Sequence, residues 1–234
     1  MSKKWKRKTC VYCGAEGKSD TKDHILARQF VLERHRGYLP AVPACTECNN
    51  RKSALESELV SLLPFGGRHA DASEQLEFLV GGRLERNERL RSKLSAALTN
   101  ELITDLEGRT VERTMVIYGP CLDRWVEFLT LGLIAHHFQQ TVAGKVVITP
   151  SLLSMAGEIA YAPIFRAKGH RVPPTSIGGG ALYYQGTMSL EQPLASVWRM
   201  AFFGGIHIGG EEPHLRGRTY YVEVKPLPEA GPND

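Results

Sequence analysis

The sequence predicts an α+β protein in three parts: a metal-stapled unit at residues 10–65, a helical connector at 66–101 and a C-terminal α+β domain at 102–225. Three observations predict it. Two Cys-x-x-Cys pairs, Cys10/Cys13 and Cys45/Cys48, bracket a short segment with few apolar side chains, which benefits from such a staple. Apolar residues then recur at helical spacing from Leu55 to Leu63 and from Leu76 to Leu98. Beyond residue 102 the texture changes to short β-branched and aromatic runs punctuated by Gly and Pro, with one long amphipathic helix among them.

Composition bounds what such a chain can be. Its 234 residues, 42% hydrophobic and 23% charged, can bury a real core, which excludes disorder over most of the length. No run approaches the roughly eighteen apolar residues of a spanning helix. The start, Met1 to Thr9, is basic like a signal peptide, but Cys10-Val-Tyr-Cys-Gly follows it in place of an apolar stretch. A cytoplasmic protein without membrane partners is therefore expected. In that reducing setting the paired cysteines read as metal ligands rather than disulfides. Charge is uneven: residues 1–52 hold 12 Lys and Arg against 5 Asp and Glu, while the rest holds 17 against 20. A basic field beside a metal motif points to a polyanion, most often nucleic acid.

In chain order, residues 1–9 form a basic tail in which Lys3, Lys4, Lys6, Arg7 and Lys8 surround Trp5. It is either a nucleic-acid contact or a solubilising terminus. Residues Ile25 to Arg36 can hold a short helix. A longer one is expected from Thr46, as its N-cap, to about Leu63, ended by Pro64 and Gly66-Gly67. Ser73 is a suitable cap for a stretch reaching Leu98, broken at Gly81-Gly82, with Arg83, Arg86, Arg89 and Arg91 on a solvated face. Strands are expected at Thr110–Tyr118, Val146–Ile148, Ala181–Tyr184, Trp198–Phe203 and Thr219–Val224, and a helix at Leu122–Gln139 facing Trp125, Leu129 and Leu133 inward. His136-His137 reads as packing at that helix's end, Cys121 as a buried thiol, Pro173-Pro174 with Gly178–Gly180 as a long loop, and 226–234 as a tail.

Four thiolates in a tetrahedron suit Zn²⁺, and a closed four-sulfur site is structural because it leaves no position for water. Inside the loop that this site closes lies Lys22-Asp23-His24-Ile25, and Asn49-Asn50-Arg51-Lys52 follows the last cysteine. These residues resemble the HNH endonuclease family, whose zinc-bearing members read C-x-x-C, D-H, then C-x-x-C-N-x-x-K. The resemblance covers residues 10 to about 55, under a quarter of the chain. It implies a β-hairpin followed by a helix, the ββα-metal module. It makes His24 the general base, and Asp23 and Asn49 the ligands of a catalytic Mg²⁺ or Mn²⁺. The implied product carries a 5′-phosphate and a 3′-hydroxyl.

The residue types make chemical sense by themselves. A neutral imidazole activates water near pH 7. Oxygen ligands suit a hard cation that stabilises the charge of a phosphorane-like transition state. Asp23 and His24, adjacent on a strand, point to opposite faces. Arg51 and Lys52, just past the cysteines, are candidate phosphate contacts, as is the basic tail.

One departure stands out: no Asn lies between Cys13 and Cys45, where the family carries a middle Asn that orients the histidine, near Pro40 here. Gln29 or a backbone carbonyl is a candidate substitute. The leading expectation is a metal-dependent HNH endonuclease on DNA, with RNA as the other candidate substrate, the C-terminal domain serving targeting or regulation, and a homodimer where both strands are cut. Its rivals are a non-catalytic zinc-stapled nucleic-acid-binding protein and a signal-binding protein centred on residues 115–234.

Overall fold

Strands β1 (Thr21–His24) and β2 (Ala41–Ala44) pair antiparallel, Asp23 opposite Val42 and His24 opposite Ala41, and helix α1 (Thr46–Gly66) follows directly. The computed structural model describes residues 5–104, 108, 110–116, 119–153, 155–205 and 219–228. Lys3, Lys4, Tyr118 and the terminal 229–234 lie outside these. Between the two strands the expected short helix is replaced by two 3-10 turns, Arg28–Phe30 and Glu33–His35. The apolar residues that suggested it, Ile25, Phe30, Val31 and Leu32, are all buried.

Helix α1 differs from expectation at both ends. Cys45 is its N-cap, because the Thr46 hydroxyl donates to Asp20 Oδ2 at 2.7 Å instead of accepting from the first turn. Pro64 does not end the helix, which continues to Gly66. Proline cannot donate to the carbonyl four residues back. Arg83 supplies that missing donor, its Nη1 reaching Val60 O at 3.0 Å while Nη2 reaches Gln29 O at 2.9 Å. Arg83 is thus a half-buried brace and not part of a solvated face.

The connector comprises α2 (Ala70–Gln75), a π-helical turn (Leu76–Val80), α3 (Gly81–Arg86) and α4 (Glu88–Ala97). Its break lies at Asn87, whose Oδ1 accepts the Leu90 N–H at 2.9 Å, and not at Gly81-Gly82, which stay helical. The Asn87 side chain caps a fresh helix start, whereas interior glycines lower helix propensity without forbidding the helix. Similarly, His69 caps α2 through Nδ1, 3.2 Å from the Asp71 nitrogen, in place of Ser73.

A hairpin of β3 (Leu98–Thr104) and β4 (Thr110–Val116) leads to α5 (Gly119–Phe138). Then come β5 (Val146–Leu152), α6 (Met155–Tyr161), β6 (His170–Ile177), β7 (Leu182–Met188), β8 (Ser196–Phe202) and β9 (Tyr220–Pro226). The last five strands form one antiparallel sheet in the order β5-β9-β8-β7-β6. Pro173-Pro174, expected in a loop, lies within β6 where its register shifts between Val172 and Thr175. An edge strand at a bulge tolerates residues that cannot donate to the ladder.

Helix α5 is the keel of the molecule. Trp125, Leu129, Leu133 and Ile134 are wholly buried, and Trp125 stacks on Phe30 at 4.9 Å and meets Phe202 at 5.0 Å. Buried residues from Cys10 to Val224 form one continuous cluster, so the core crosses the border expected at residue 65. Gly178–Gly180, all at positive φ, close the contact from the other side. A Cβ at Gly179 would lie 2.3 Å from the His35 ring. Among the described residues no helix is long and apolar enough to cross a membrane.

Candidate active-site cleft and its cysteine cluster

The four sulfurs of Cys10, Cys13, Cys45 and Cys48 lie within 4.8 Å of one another. Tetrahedral Zn–S bonds place sulfurs about 3.8 Å apart, and Cys13 and Cys45 already stand at 4.0 Å. The turn is made for this grouping: Gly14, at positive φ, donates to Cys10 O at 2.9 Å, and the Cys45 N–H donates to Cys10 Sγ at 3.3 Å. Burial, then a hydrogen bond from Cys45 and the nearby Cys10, push the Cys48 thiol far up. A dication reverses that preference, since it binds thiolates. The set fits Zn²⁺. It ties the loop of Cys10–Cys13 to the junction of β2 and α1, just where β1 must be held.

Beneath β1 runs a buried polar network. The Tyr12 hydroxyl donates to Asp23 Oδ2 at 2.6 Å, and Lys52 Nζ lies 3.2 Å from the same oxygen. Lys52 also contacts Glu56 Oε1 at 2.6 Å and donates to His24 O at 2.8 Å, and Trp125 Nε1 donates to Glu56 Oε1 at 3.2 Å. Burial, then the Asp23 charge, raise Tyr12 well above its ordinary value. Burial raises Glu56 too, against the pull of Lys52. Two sequence expectations meet a different geometry here. Lys52, with no exposed surface, is an internal counter-charge and not a phosphate contact. Asp23 faces this interior network, away from His24, because neighbouring strand residues alternate.

On the opposite face of β1 a cleft of about 510 Å³ opens. Lys22 and His24, two residues apart, share this face and line it with Arg28, Arg36 and His136. Among the described residues its lining contains no carboxylate. Trp5 and the exposed Tyr38 supply aromatic walls, with Lys22 Nζ 6.0 Å from the Trp5 ring centre. Arg36 is anchored by its Nε, which donates to Val31 O at 2.8 Å and to Arg28 O at 3.1 Å. Burial, then the Lys22 charge, lower the His24 pKa, so its imidazole is neutral at pH 7.

The remaining expected residues divide around this cleft. Arg7 and Lys8 line an adjoining cleft of about 740 Å³ that shares Trp5 and His136 with the first. Lys6 and Arg51 are exposed. Asn49 is half-buried at the start of α1, its N–H bonded to Cys45 O at 3.0 Å, and is not among the cleft residues. Pro40, near which the resemblance expects a middle Asn, forms part of the wall. Gln29 is exposed, and among the described residues no hydrogen bond reaches the His24 ring, so neither expected substitute is assembled.

His136, which the sequence reads as packing at the helix end, lines the cleft instead. Its neighbour His137 packs toward the sheet, with Nε2 3.0 Å from the Tyr184 hydroxyl, while His136 is among the residues that line the cleft. The only linear signal was a pair of adjacent histidines at a helix end. No protein-family model, curated protein or solved structure matches the chain.

Proposed function

We propose that the chain is an HNH-type endonuclease that hydrolyses phosphodiester bonds in DNA, with the His24 cleft as its reaction site. The observation that carries this reading is the company His24 keeps: a buried-edge, neutral imidazole in a cleft whose charged side chains are all cationic. Lys22, Arg28 and Arg36 attract a diester and hold its non-bridging oxygens. His24 takes a proton from water, the resulting hydroxide attacks phosphorus, the P–O3′ bond breaks, and the departing 3′-oxygen takes a proton from solvent. The four-cysteine site, loaded with Zn²⁺, holds β1 in place and takes no part in the chemistry.

The residues that the resemblance assigns to Mg²⁺ or Mn²⁺ do not fit that role. Asp23 is turned inward and engaged by Tyr12 and Lys52, and Asn49 stands outside the cleft. The charge such an ion would supply falls to the three cations of the cleft.

The test is cleavage of supercoiled plasmid by purified protein in buffers with Mg²⁺, Mn²⁺ or neither, beside His24→Ala prepared identically. Nicked or linear product that disappears in His24→Ala supports the reading. A second reading, a non-catalytic zinc-stapled nucleic-acid-binding protein, is favoured by the His24 ring having no orienting hydrogen bond among the described residues. Tight, salt-sensitive binding without cleavage in any buffer would select it.

A further inference from the structure

Helix α5 brings a second imidazole to the cleft. At Gly132 the helix packs directly on Ile25, the residue after His24. A Cβ there would stand 3.1 Å from Ile25 Cγ1, so the missing side chain is what permits the approach. His136 lies four residues further on, one turn along the same face. It lines the same cleft as His24. The ring of His137 is spent on Tyr184 and the sheet, whereas His136 is a lining residue of the cleft.

Two imidazoles on one cationic cleft, with no carboxylate in its described lining, are poorly suited to capturing a divalent cation. They are well suited to passing a proton in and out of a phosphodiester. DNA offers no internal nucleophile for such a pair. RNA does: its 2′-hydroxyl is already held beside phosphorus, which removes the entropic cost of positioning water.

We infer that the cleft also cleaves RNA without a divalent metal, His24 acting as base and His136 as acid. This rests on reading the cleft as a phosphodiester site. His24 takes the proton of the 2′-hydroxyl, and the 2′-oxygen bonds to phosphorus. The P–O5′ bond breaks, and the 5′-oxygen takes a proton from the imidazolium form of His136, the minority form at pH 7 because burial lowers that pKa. The products are a 2′,3′-cyclic phosphate and a 5′-hydroxyl. No oxidant, reductant or added nucleophile is consumed, and the proton balance closes between the two rings. Lys22, Arg28 and Arg36 stabilise the doubly charged phosphorane.

The experiment uses the full chain in metal-stripped buffer, with its zinc content measured before and after. The substrate is a DNA oligonucleotide carrying one ribonucleotide, beside an all-DNA and a 2′-O-methyl version. Cleavage at the ribonucleotide alone, ending in a cyclic phosphate, is expected. His24→Ala and His136→Ala should each slow it by about 10²- to 10⁴-fold. Replacing the scissile 5′-oxygen by sulfur, a leaving group that needs no proton, should restore His136→Ala but not His24→Ala. A purely structural role for His136 would not produce that split. Cleavage indifferent to His136→Ala overturns the inference, as does cleavage that appears only with added Mg²⁺ or Mn²⁺. Metal-dependent cutting of plasmid DNA with an intact ribonucleotide substrate overturns it while leaving the DNA reading standing, and an enzyme inert on both overturns both.

Discussion

The Lys52 ammonium lies 3.2 Å from the Asp23 carboxylate with none of its side chain exposed, joining the first turns of α1 to β1 from inside the protein. Glu56 and Tyr12 complete the set, so the network holds two carboxylates against one ammonium. Removing one member of a buried pair leaves an uncompensated charge, at a cost of roughly 3–5 kcal/mol. Lys52→Met is accordingly expected to lower the unfolding free energy measured in urea by an amount of that order, and Asp23→Asn by less, since the amide still accepts from Tyr12. If Asp23→Asn instead left stability untouched and abolished Mn²⁺ binding by the protein, Asp23 would be a metal ligand after all.

The cysteine cluster should bind Zn²⁺ with a stoichiometry of one per chain, and its loss should loosen the whole N-terminal unit. Elemental analysis of the purified protein checks the first point. For the second, Cys13→Ser, at the exposed corner of the site, should reduce zinc retention and lower Tm. Chelator treatment of the wild type should reproduce the fall, because binding free energy of such a site is also folding free energy. An unchanged Tm in zinc-free protein would mean that the shared core around Trp125 carries the unit alone.

Electrostatic capture in the cleft has a measurable signature. Arg28→Ala and Arg36→Ala should each weaken oligonucleotide binding and reduce the slope of log K against log salt by about 1. Arg51→Ala, exposed and outside the cleft lining, should change that slope less. Fluorescence anisotropy across a salt series separates the two groups.

Acid should loosen the contact between α5 and the sheet. Burial, reinforced by the neighbouring His136, pushes the His137 imidazole down to about 4 from 6.5. Unfolded chains take up that proton near pH 6.5, whereas the folded protein resists until about 4. Between those values the unfolded state binds more protons, so stability contributed by neutral His137 is intact above pH 6.5 and declines as pH falls. Thermal melts of wild type and His137→Gln between pH 7 and 4 should show the wild type losing more of its Tm than the variant. Parallel curves would assign the acid sensitivity elsewhere.

Much of this molecule could be read from the chain in order. The two Cys-x-x-Cys pairs announced their own cluster, because ligand spacing is a local property. The apolar periodicity of 122–139 announced α5, and β-branched and aromatic runs announced β5, β7, β8 and β9. Local features failed where a distant group supplied what the segment lacked. Pro64 does not end α1 because Arg83 bonds the carbonyl it leaves bare, and Pro173-Pro174 sits in a strand because β6 is an edge.

The site shows the same division. His24 was marked by its motif, but whether Asp23 beside it faces solvent or core depends on what α1 places underneath, and Lys52 and Glu56 settle that inward. Lys52 looked like a surface cation because sequence shows charge and not burial. His136 could not be assigned to the cleft from its own neighbours at all. Its place there follows from Gly132 letting α5 lie against Ile25, a contact between residues more than a hundred positions apart. Spacing along the chain specifies which groups can act together locally. Packing between remote elements specifies which of them share a surface, and with it the chemistry they can perform.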